Sequence, residues 1–353
     1  MLPSGEITRR RFLGHAAVAV GSAMLAGPLS RAALAAAPTA LPRPELRSFR
    51  LGFDLPNYLG QVAHWVALEK GYFREVGLEG IEVINSSEVL AGVVGNSLLL
   101  ATGDTDVIFL SYSKGIKVKY LATNQGREYR MFMVGRGIES AADLKGKTVN
   151  GGAGGPDARP AFNTRGILRK LGLDPQRDVQ WVWVSLDAGL QAVVSGRIAG
   201  SLAHPRHEFP LYTAGGKFLY RELLDSPQSG IFGTAEAVRR YPNTITAYLA
   251  AQIRARQYIA KDVAATSRTA GEVFGILEKN GIRVAEALRG AHQASMLILS
   301  PDAGFQMEAM GRLVKESQDV EAIPKQFDWQ QAVDLSLLRK AQAAVGIAIR
   351  PPE

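Results

Sequence analysis

A cluster of glycines follows a short apolar segment near the middle of the chain. Positions 149–159 read VNGGAGGPDAR, and a helical pattern begins at Pro160. The first turn of a helix offers unpaired backbone N–H groups and the positive end of the helix dipole. Glycines let an anionic oxygen approach such backbone closely. We therefore predict an anion-binding turn, whose members are Gly154, Gly155, Asp157, Ala158 and Arg159.

Two residues of this turn have more than one interpretation. Asp157 either caps the helix that follows, as aspartate often does, or accepts a hydrogen bond from a donor group of the ligand. Arg159 either makes a bidentate contact with a carboxylate or lies on the surface. The sequence leaves both pairs of alternatives open.

Nucleotide-binding motifs fail in this region. Gly146-Lys147-Thr148 resembles the end of a phosphate loop, but the required earlier glycine position holds Ala141. That segment also opens a strand, whereas a phosphate loop opens a helix. A dinucleotide fingerprint starting at Gly152 would need a glycine where Asp157 stands. We expect no nucleotide and no other cofactor.

Catalytic and metal-binding patterns are equally incomplete. Ser111-Tyr112-Ser113-Lys114 matches Ser-x-x-Lys, but the partner motifs of serine acyl-enzymes do not accompany it. His204 and His207 are separated by proline and arginine, and the sequence shows no further ligand set for a metal. The chain contains no cysteine, which excludes thiolate ligands, a cysteine nucleophile and disulfides. We expect neither an enzyme nor a metal site.

Polar side chains follow several predicted strands. In parallel sheets, ligands bind beyond the carboxyl ends of the strands, so we expect these side chains to line a cleft. The aromatic rings among them favour a small planar or aromatic acid over a bare inorganic anion. His204 either donates to an anion, and titrates near neutral pH, or faces solvent. The residues are Asn57, Tyr58, Ser86, Ser87, Ser111, Tyr112, Ser185 and His204.

Strand-like and helix-like patterns alternate in two runs along the chain. The first run includes a predicted helix at Val89–Ala101 and predicted strands at Asp106–Leu110, Val118–Ala122 and Met131–Val134. The second run starts at Thr148. Such alternation predicts an α/β fold with mostly parallel sheets. Beyond about residue 240 the pattern is helical, with helices expected at Asn243–Lys261, Ala264–Lys279, Val284–Leu297, Pro301–Val320 and Leu335–Ala344.

The first 35 residues have the pattern of an export signal. Three arginines, Arg9 to Arg11, precede a weakly apolar run and a small-residue stretch that ends at Ala35. The arginines followed by Phe12 and Leu13 resemble a twin-arginine signal, whose cargo is exported folded. The apolar run is shorter than the roughly 20 residues that span a bilayer. We expect a signal at residues 1–35 and a proline-rich linker at 36–47.

The charge distribution argues against nucleic acid as a partner. The net charge is +8, and four of the arginines that contribute to this positive charge lie in the predicted signal. The remaining basic residues are interspersed with acids and form no run with interleaved aromatics.

Several blocks of the sequence resemble one known family. The blocks are LEKGYF at 68–73, ATGDTD at 101–106, IESAADLKGKTV at 138–149 and LRKLGLDP at 168–175. Together they are similar to the substrate-binding proteins of ABC importers for nitrate, sulfonates, taurine, bicarbonate and related small organic anions. Thiamine-pyrimidine-precursor binders belong to the same broad group. The resemblance runs from about residue 48 to 345.

The resemblance implies a two-lobed type II periplasmic binding fold with a helical C-terminal tail. Lobe 1 would comprise 48–134 and 231–353, and lobe 2 would comprise 135–230. A monomer in the periplasm would bind a small organic anion between the lobes. The permease and its ATPase subunits would be separate chains. Two alternatives remain: a pyrimidine-synthesis enzyme, whose known relatives carry a cysteine-rich motif that this chain lacks, and a periplasmic sensor.

Overall fold

The computed structural model describes residues 40–54, 58–156, 158–263, 276, 279, 298–319 and 321–347. The predicted signal lies outside these residues, as do most of the helices predicted at Ala264–Lys279 and Val284–Leu297. None of the helices within the described ranges has the length and hydropathy needed to cross a membrane.

Eight described strands form one sheet in the order β2-β1-β3-β8-β4-β7-β5-β6. At one end β2, β1 and β3 run parallel, and at the other end β7, β5 and β6 run parallel. The parallel triplets agree with the predicted α/β alternation. The strands are β1 (Ser48–Phe53), β2 (Gly80–Asn85), β3 (Leu100–Asp104), β4 (Val118–Val134), β5 (Lys147–Asn150), β6 (Val179–Val182), β7 (Gly200–Ala203) and β8 (Lys217–Thr234).

Helices connect and cover these strands. Lobe 1 is here the half of the molecule around β1–β3, and lobe 2 is the half around β5–β7. The described helices are α1 (Tyr58–Glu69), α2 (Tyr72–Glu75), α3 (Val89–Val94), α4 (Thr105–Ser113), α5 (Arg159–Lys170), α6 (Leu186–Val194), α7 (Glu208–Thr213), α8 (Ala235–Arg240), α9 (Pro242–Val263), α10 (Met307–Asp319) and α11 (Ser336–Ala344).

Two long antiparallel strands, β4 and β8, run through both lobes. Separate strands were expected at Val118–Ala122 and Met131–Val134, but β4 continues between them and pairs with β8. The linking stretch, TNQGREYR, is polar and lacks a buried face along its length, so its sequence carries no strand alternation. The pairing shifts register between Tyr120 and Arg127, where β-bulges bend the ribbon.

Buried side chains form separate cores on the two faces of the sheet. In lobe 2, alternate residues at the end of β4 enter different cores: Phe132 and Val134 pack with α5, whereas Met131 and Met133 pack with α6. This division follows from the two-residue period of a strand. Two further clusters fill lobe 1, one around α1 and α9 and the other around α4 and α10.

The strand prediction at Asp106–Leu110 was wrong, because this segment belongs to α4. Ile108 and Phe109 are buried while Val107 is exposed, so a short apolar run here covers one face of a helix. Such a run does not by itself distinguish a strand from a helix. The strand is the preceding segment, β3, and the predicted helix Val89–Ala101 ends at Val94.

The helix predicted at Pro301–Val320 begins later than expected. Turns occupy residues 301–303, and α10 starts at Met307. Ser300, just before these turns, donates a hydrogen bond from its hydroxyl group to Asp302 at 2.6 Å.

Candidate functional site

The first turns of two helices lie next to each other where the lobes meet. α4 follows β3 in lobe 1, and α5 follows the glycine turn in lobe 2. The Nη1 atom of Arg159, the first residue of α5, lies 2.7 Å from Oδ2 of Asp106 in the first turn of α4. The N-cap residues Asp104 and Ala158 have extended backbone and make no side-chain capping bond. Two positive helix ends therefore converge across the cleft between the lobes.

The glycine turn occupies the predicted position between β5 and α5. Gly152, Gly154 and Gly155 have φ of 93°, 95° and 84°, a left-handed conformation that favours glycine. A Cβ on Gly151 would lie 2.2 Å from the Trp183 ring. Packing therefore explains Gly151 and backbone conformation explains the other three. Within the described ranges, the N–H groups of Gly154 and Gly155 have no acceptor.

Asn150, which is not among the predicted site residues, positions this turn. Its side chain is fully buried at the end of β5. Its Oδ1 accepts the N–H groups of Gly152 and Val184, both at 3.0 Å, and its Nδ2 donates to Ser201 Oγ at 3.0 Å. One amide thus connects the end of β5, the residues after β6 and the second residue of β7. An asparagine that ends a short apolar strand was the available signal.

Two carboxyl groups lie at the carboxyl ends of the parallel strands β1 and β3 in lobe 1. Asp54, which follows β1, accepts a hydrogen bond from Thr102 Oγ1 at 2.9 Å. Burial raises the pKa of Asp54 to about 7; the Thr102 hydrogen bond opposes this rise, and the charge of Asp104 adds to it. Asp104 is accessible to water, but the surrounding protein still desolvates it and raises its pKa, helped by Asp106. A carboxyl group in a cleft is expected to be both accessible to water and partly desolvated by the surrounding protein.

Arg159 is occupied by partners from lobe 1. Besides Asp106, its Nη1 donates to Ser317 Oγ of α10 at 2.9 Å. Its Nε and Nη2 atoms are buried and have no hydrogen-bond partner among the described residues. This geometry favours a role in joining the lobes over the expected contact with a ligand carboxylate, which stays a prediction.

The strand-end residues of lobe 1 differ in their surroundings. Ser86 follows β2, its Oγ accepts the N–H of Glu88 at 3.0 Å, and Ser87 is exposed. Ser111 and Tyr112 do not follow a strand, since they lie in the last turns of α4. Ser111 is buried and donates to the Val107 carbonyl oxygen at 2.6 Å.

Four further residues of the predicted site remain: Tyr112, Tyr58 and Asn57 in lobe 1, and Asp157 in the glycine turn of lobe 2. Tyr112 was expected in the cleft because it was predicted to follow a strand. It lies in α4 instead, and its ring packs on Phe327. Tyr58 begins α1, and Asn57 and Asp157 lie outside the described residues. The proposed ligand contacts of these residues stay predictions.

In lobe 2, Ser185 and His204 follow β6 and β7. Ser185 Oγ accepts the Ala188 N–H at 3.2 Å and so caps α6. The His204 N–H donates to Nδ1 of the buried His207, whose Nε2 lies 2.9 Å from Asp187 Oδ1. Because Nδ1 of His207 accepts a bond, its Nε2 carries the proton and donates to the carboxylate. His204 itself is half-buried at the strand exit.

Comparison with known proteins agrees with this architecture. The family model described as NMT1/THI5 like matches residues 61–264, which is more than half of the chain. No curated protein matches the sequence significantly.

Solved structures share the fold at low sequence identity. The periplasmic nitrate-binding protein NrtA from Synechocystis PCC 6803 superposes with a TM-score of 0.63 at 17% identity, covering 86% of this chain and 90% of that protein. For the periplasmic aliphatic sulphonate binding protein SsuA from Escherichia coli, the TM-score is 0.61 at 14% identity, with coverages of 82% and 92%. The desulfurization enzyme DszB gives 0.56 at 14%, with coverages of 83% and 98%. These likenesses confirm the expected two-lobed binding-protein fold.

Proposed function

Because the chain belongs to the NMT1/THI5-like family, we propose that it is the solute-binding component of an ABC importer and captures a small organic anion between its lobes. The observation that carries the proposal is the convergence of the α4 and α5 N-termini at the cleft. The fold it shares with periplasmic nitrate- and sulphonate-binding proteins supports it. The permease and the ATPase subunits are separate chains in this proposal.

The location of the protein forms part of the same proposal. Export to the periplasm, by the twin-arginine route, is supported by the arginines and the small-residue stretch within residues 1–35. A monomer with lobe 1 at 48–134 and 231–353 and lobe 2 at 135–230 is the arrangement we propose. The ribbon of β4 and β8 then joins the lobes.

The acidic group of the ligand is assigned to the glycine turn. The N–H groups of Gly154 and Gly155 are available there, and the α5 dipole favours negative charge at the same point. Ser185 and His204, at neighbouring strand ends of lobe 2, complete this wall. Ser86 and Ser87 supply hydroxyl groups from lobe 1.

The opposite wall calls for a hydrogen-bond donor on the ligand. The side chain of Asp104 has no hydrogen-bond or ion-pair partner among the described residues, and that of Asp54 accepts a hydrogen bond from Thr102. A bare inorganic anion beside Asp104 would meet like charge, whereas an amino, amide or protonated ring nitrogen would pair with it. The exposed side chain of Val107 offers apolar contact in the same first turn. The ligand class we propose is a small organic acid that also carries a donor nitrogen.

Thermal stabilisation by candidate ligands tests the proposal. A ligand that binds only the folded state stabilises it by about 4 kcal/mol at a thousand times its dissociation constant. The panel comprises sulfonates, nitrate, bicarbonate, aromatic mono- and dicarboxylates, pyrimidines, and acids with and without an amino group. An amino acid-type anion should raise the melting temperature more than its counterpart without nitrogen.

Two variants locate the effect. Asp104→Asn should reduce the stabilisation by nitrogen-bearing acids, while Asp319→Asn, at an exposed residue that pairs with Lys315 at the end of α10, should not. The proposal takes the protein as a binder rather than an enzyme, although DszB is an enzyme with this fold. Turnover of a panel compound without stabilisation by any anion would contradict it.

A further inference from the structure

A polar network connects the lobes beside the cleft. In its first part, Arg159 of α5 donates to Asp106 at 2.7 Å and to Ser317 at 2.9 Å, and the Ser317 hydroxyl lies 2.6 Å from the other Asp106 oxygen. The three groups form a closed triad between lobe 2 and lobe 1. Ser317 is fully buried, and the Arg159 and Asp106 side chains are 22% and 19% exposed.

The second part of the network lies one helical turn away. Arg130 of β4 bridges Glu128 at 3.2 Å and Glu316 of α10 at 2.5 Å. The other Glu128 oxygen accepts a hydrogen bond from Asn163 of α5 at 2.7 Å. The Arg130 and Glu128 side chains are nearly as buried as a core pair, at 11% and 13% exposure. We call the seven side chains of both parts the clasp: Asp106, Glu128, Arg130, Arg159, Asn163, Glu316 and Ser317.

We propose that the clasp holds the lobes closed and thereby sets the affinity for the ligand, with Arg159 as a positioning residue that does not touch the ligand. Asp106 and Ser317 already use Nη1 of Arg159, and its Nε and Nη2 atoms are too buried for a ligand to reach. The inference rests on the proposed function, because it assigns to the same cleft a means of closing.

The energetic reason lies in the surroundings of the charges. Charges that are mostly removed from water attract each other more strongly than exposed ones. Separating the lobes would break the contacts of α5 with α4 and α10 all at once. By contrast, the ion pair between Arg127 and Asp225 connects β4 to β8 within the ribbon, at 2.9 Å and nearly half exposed. Opening need not break that pair, which makes it a matched control.

A distance measurement without any ligand tests the clasp directly. The chain has no cysteine, so Lys114→Cys at the end of α4 and Lys145→Cys before β5 give two specific spin-label sites on exposed residues of opposite lobes. Double electron–electron resonance then reports the fraction of closed molecules. Arg159→Gln, Asp106→Asn and the double variant are compared in this background with Arg127→Gln.

The expected result is a mainly closed unmodified protein. Each single clasp variant should reduce the closed fraction by about tenfold, and the double variant should go no further, because the two residues act as one pair. Arg127→Gln should leave the distances unchanged. A mainly open unmodified protein, or a closed fraction that Asp106→Asn leaves intact, would overturn the proposal.

Ligand binding provides the second readout. Since apparent affinity scales with the competent fraction, a tenfold loss of the closed form should weaken binding of the best panel anion about tenfold in both single variants. A much larger loss for Arg159→Gln than for Asp106→Asn would show direct ligand contact and refute the positioning role. If no anion binds, the proposed function fails, while the ligand-free distances still decide the clasp.

Discussion

Replacing His64 should stabilise the protein, because this histidine is buried and has no hydrogen bond to any residue that the structure describes. Its side chain on α1 is 1% exposed, and neither ring nitrogen has a hydrogen-bond partner within the described part of the chain. It packs edge-on against Phe53 and Trp65, with ring centroids 5.3 and 5.1 Å apart. An unpaired buried polar group costs about 1–3 kcal/mol. His64→Leu, which is close in volume, should therefore raise the free energy of unfolding by about 1–3 kcal/mol at pH 7.

His64→Leu should also remove the part of the pH dependence of the free energy of unfolding that comes from this histidine. Burial lowers the pKa of His64 from 6.5 to about 3. Between these values the unfolded chain holds a proton that the folded protein lacks, so stability falls as the pH decreases below 6.5. The slope reaches about 1.4 kcal/mol per pH unit, or about 2 kcal/mol from pH 6.5 to 5. The advantage of His64→Leu over the unmodified protein should grow by this amount.

Urea unfolding followed by tryptophan fluorescence at pH 7, 6 and 5 measures the difference. Other titrating groups are common to both proteins and cancel in the subtraction. His207→Leu is the matched control, because His207 is equally buried but bonded at both ring nitrogens. It should destabilise the protein by about 1–3 kcal/mol.

Parallel curves of the free energy of unfolding against pH for the two proteins would refute the prediction. If His64→Leu and the unmodified protein lose stability equally between pH 7 and 5, His64 is not a neutral imidazole in the fold. A difference in the free energy of unfolding that is the same at every pH does not affect this conclusion, because differences in packing between the two side chains are independent of pH.

Two further predictions concern the cleft. The pKa of Asp54 is raised to about 7, so the folded protein keeps a proton that the unfolded chain loses above pH 3.8, and stability falls as the pH rises to 7. The melting temperature of Asp54→Asn relative to the unmodified protein should therefore increase from pH 5 to 8, and a constant difference would contradict the assignment. Asn150→Ser leaves the buried N–H group of Gly152 and the partly buried N–H group of Val184 without their acceptor, and should lower the free energy of unfolding in urea by about 2–4 kcal/mol. An effect below about 0.5 kcal/mol would show that water replaces the amide.

Local signals in the sequence were sufficient where a backbone conformation depends on neighbouring residues. The glycines at 151–155 and Pro160 predict a turn between β5 and a helix, and the structure has α5 from Arg159. Gly71, which follows α1, has a φ of 76°, a backbone angle that glycine adopts readily at the end of a helix. In such cases the residue type itself restricts or permits the backbone angles.

Local signals failed where burial decides the structure. The segment Asp106–Leu110 has a strand's composition, but it forms α4 because Ile108 and Phe109 are covered by the lobe 1 core. That core includes side chains of α10, about 200 residues further along the chain. No window of neighbouring residues contains this information.

The two residues that organise the site illustrate the same limit. Arg159 had two interpretations, a bidentate contact with a ligand carboxylate or a position on the surface, yet its partners Asp106 and Ser317 lie 53 and 158 positions away in the chain. Asn150 was overlooked, because its importance comes from Ser201 and Val184, which reach it only when three strands align. Residue type restricted Arg159 to binding an acceptor, whether a carboxylate of a ligand or of the protein. Only the placement of α4 and α10 against α5 distinguishes these possibilities, and for this reason the distance measurement without ligand tests the assignment more directly than a binding assay.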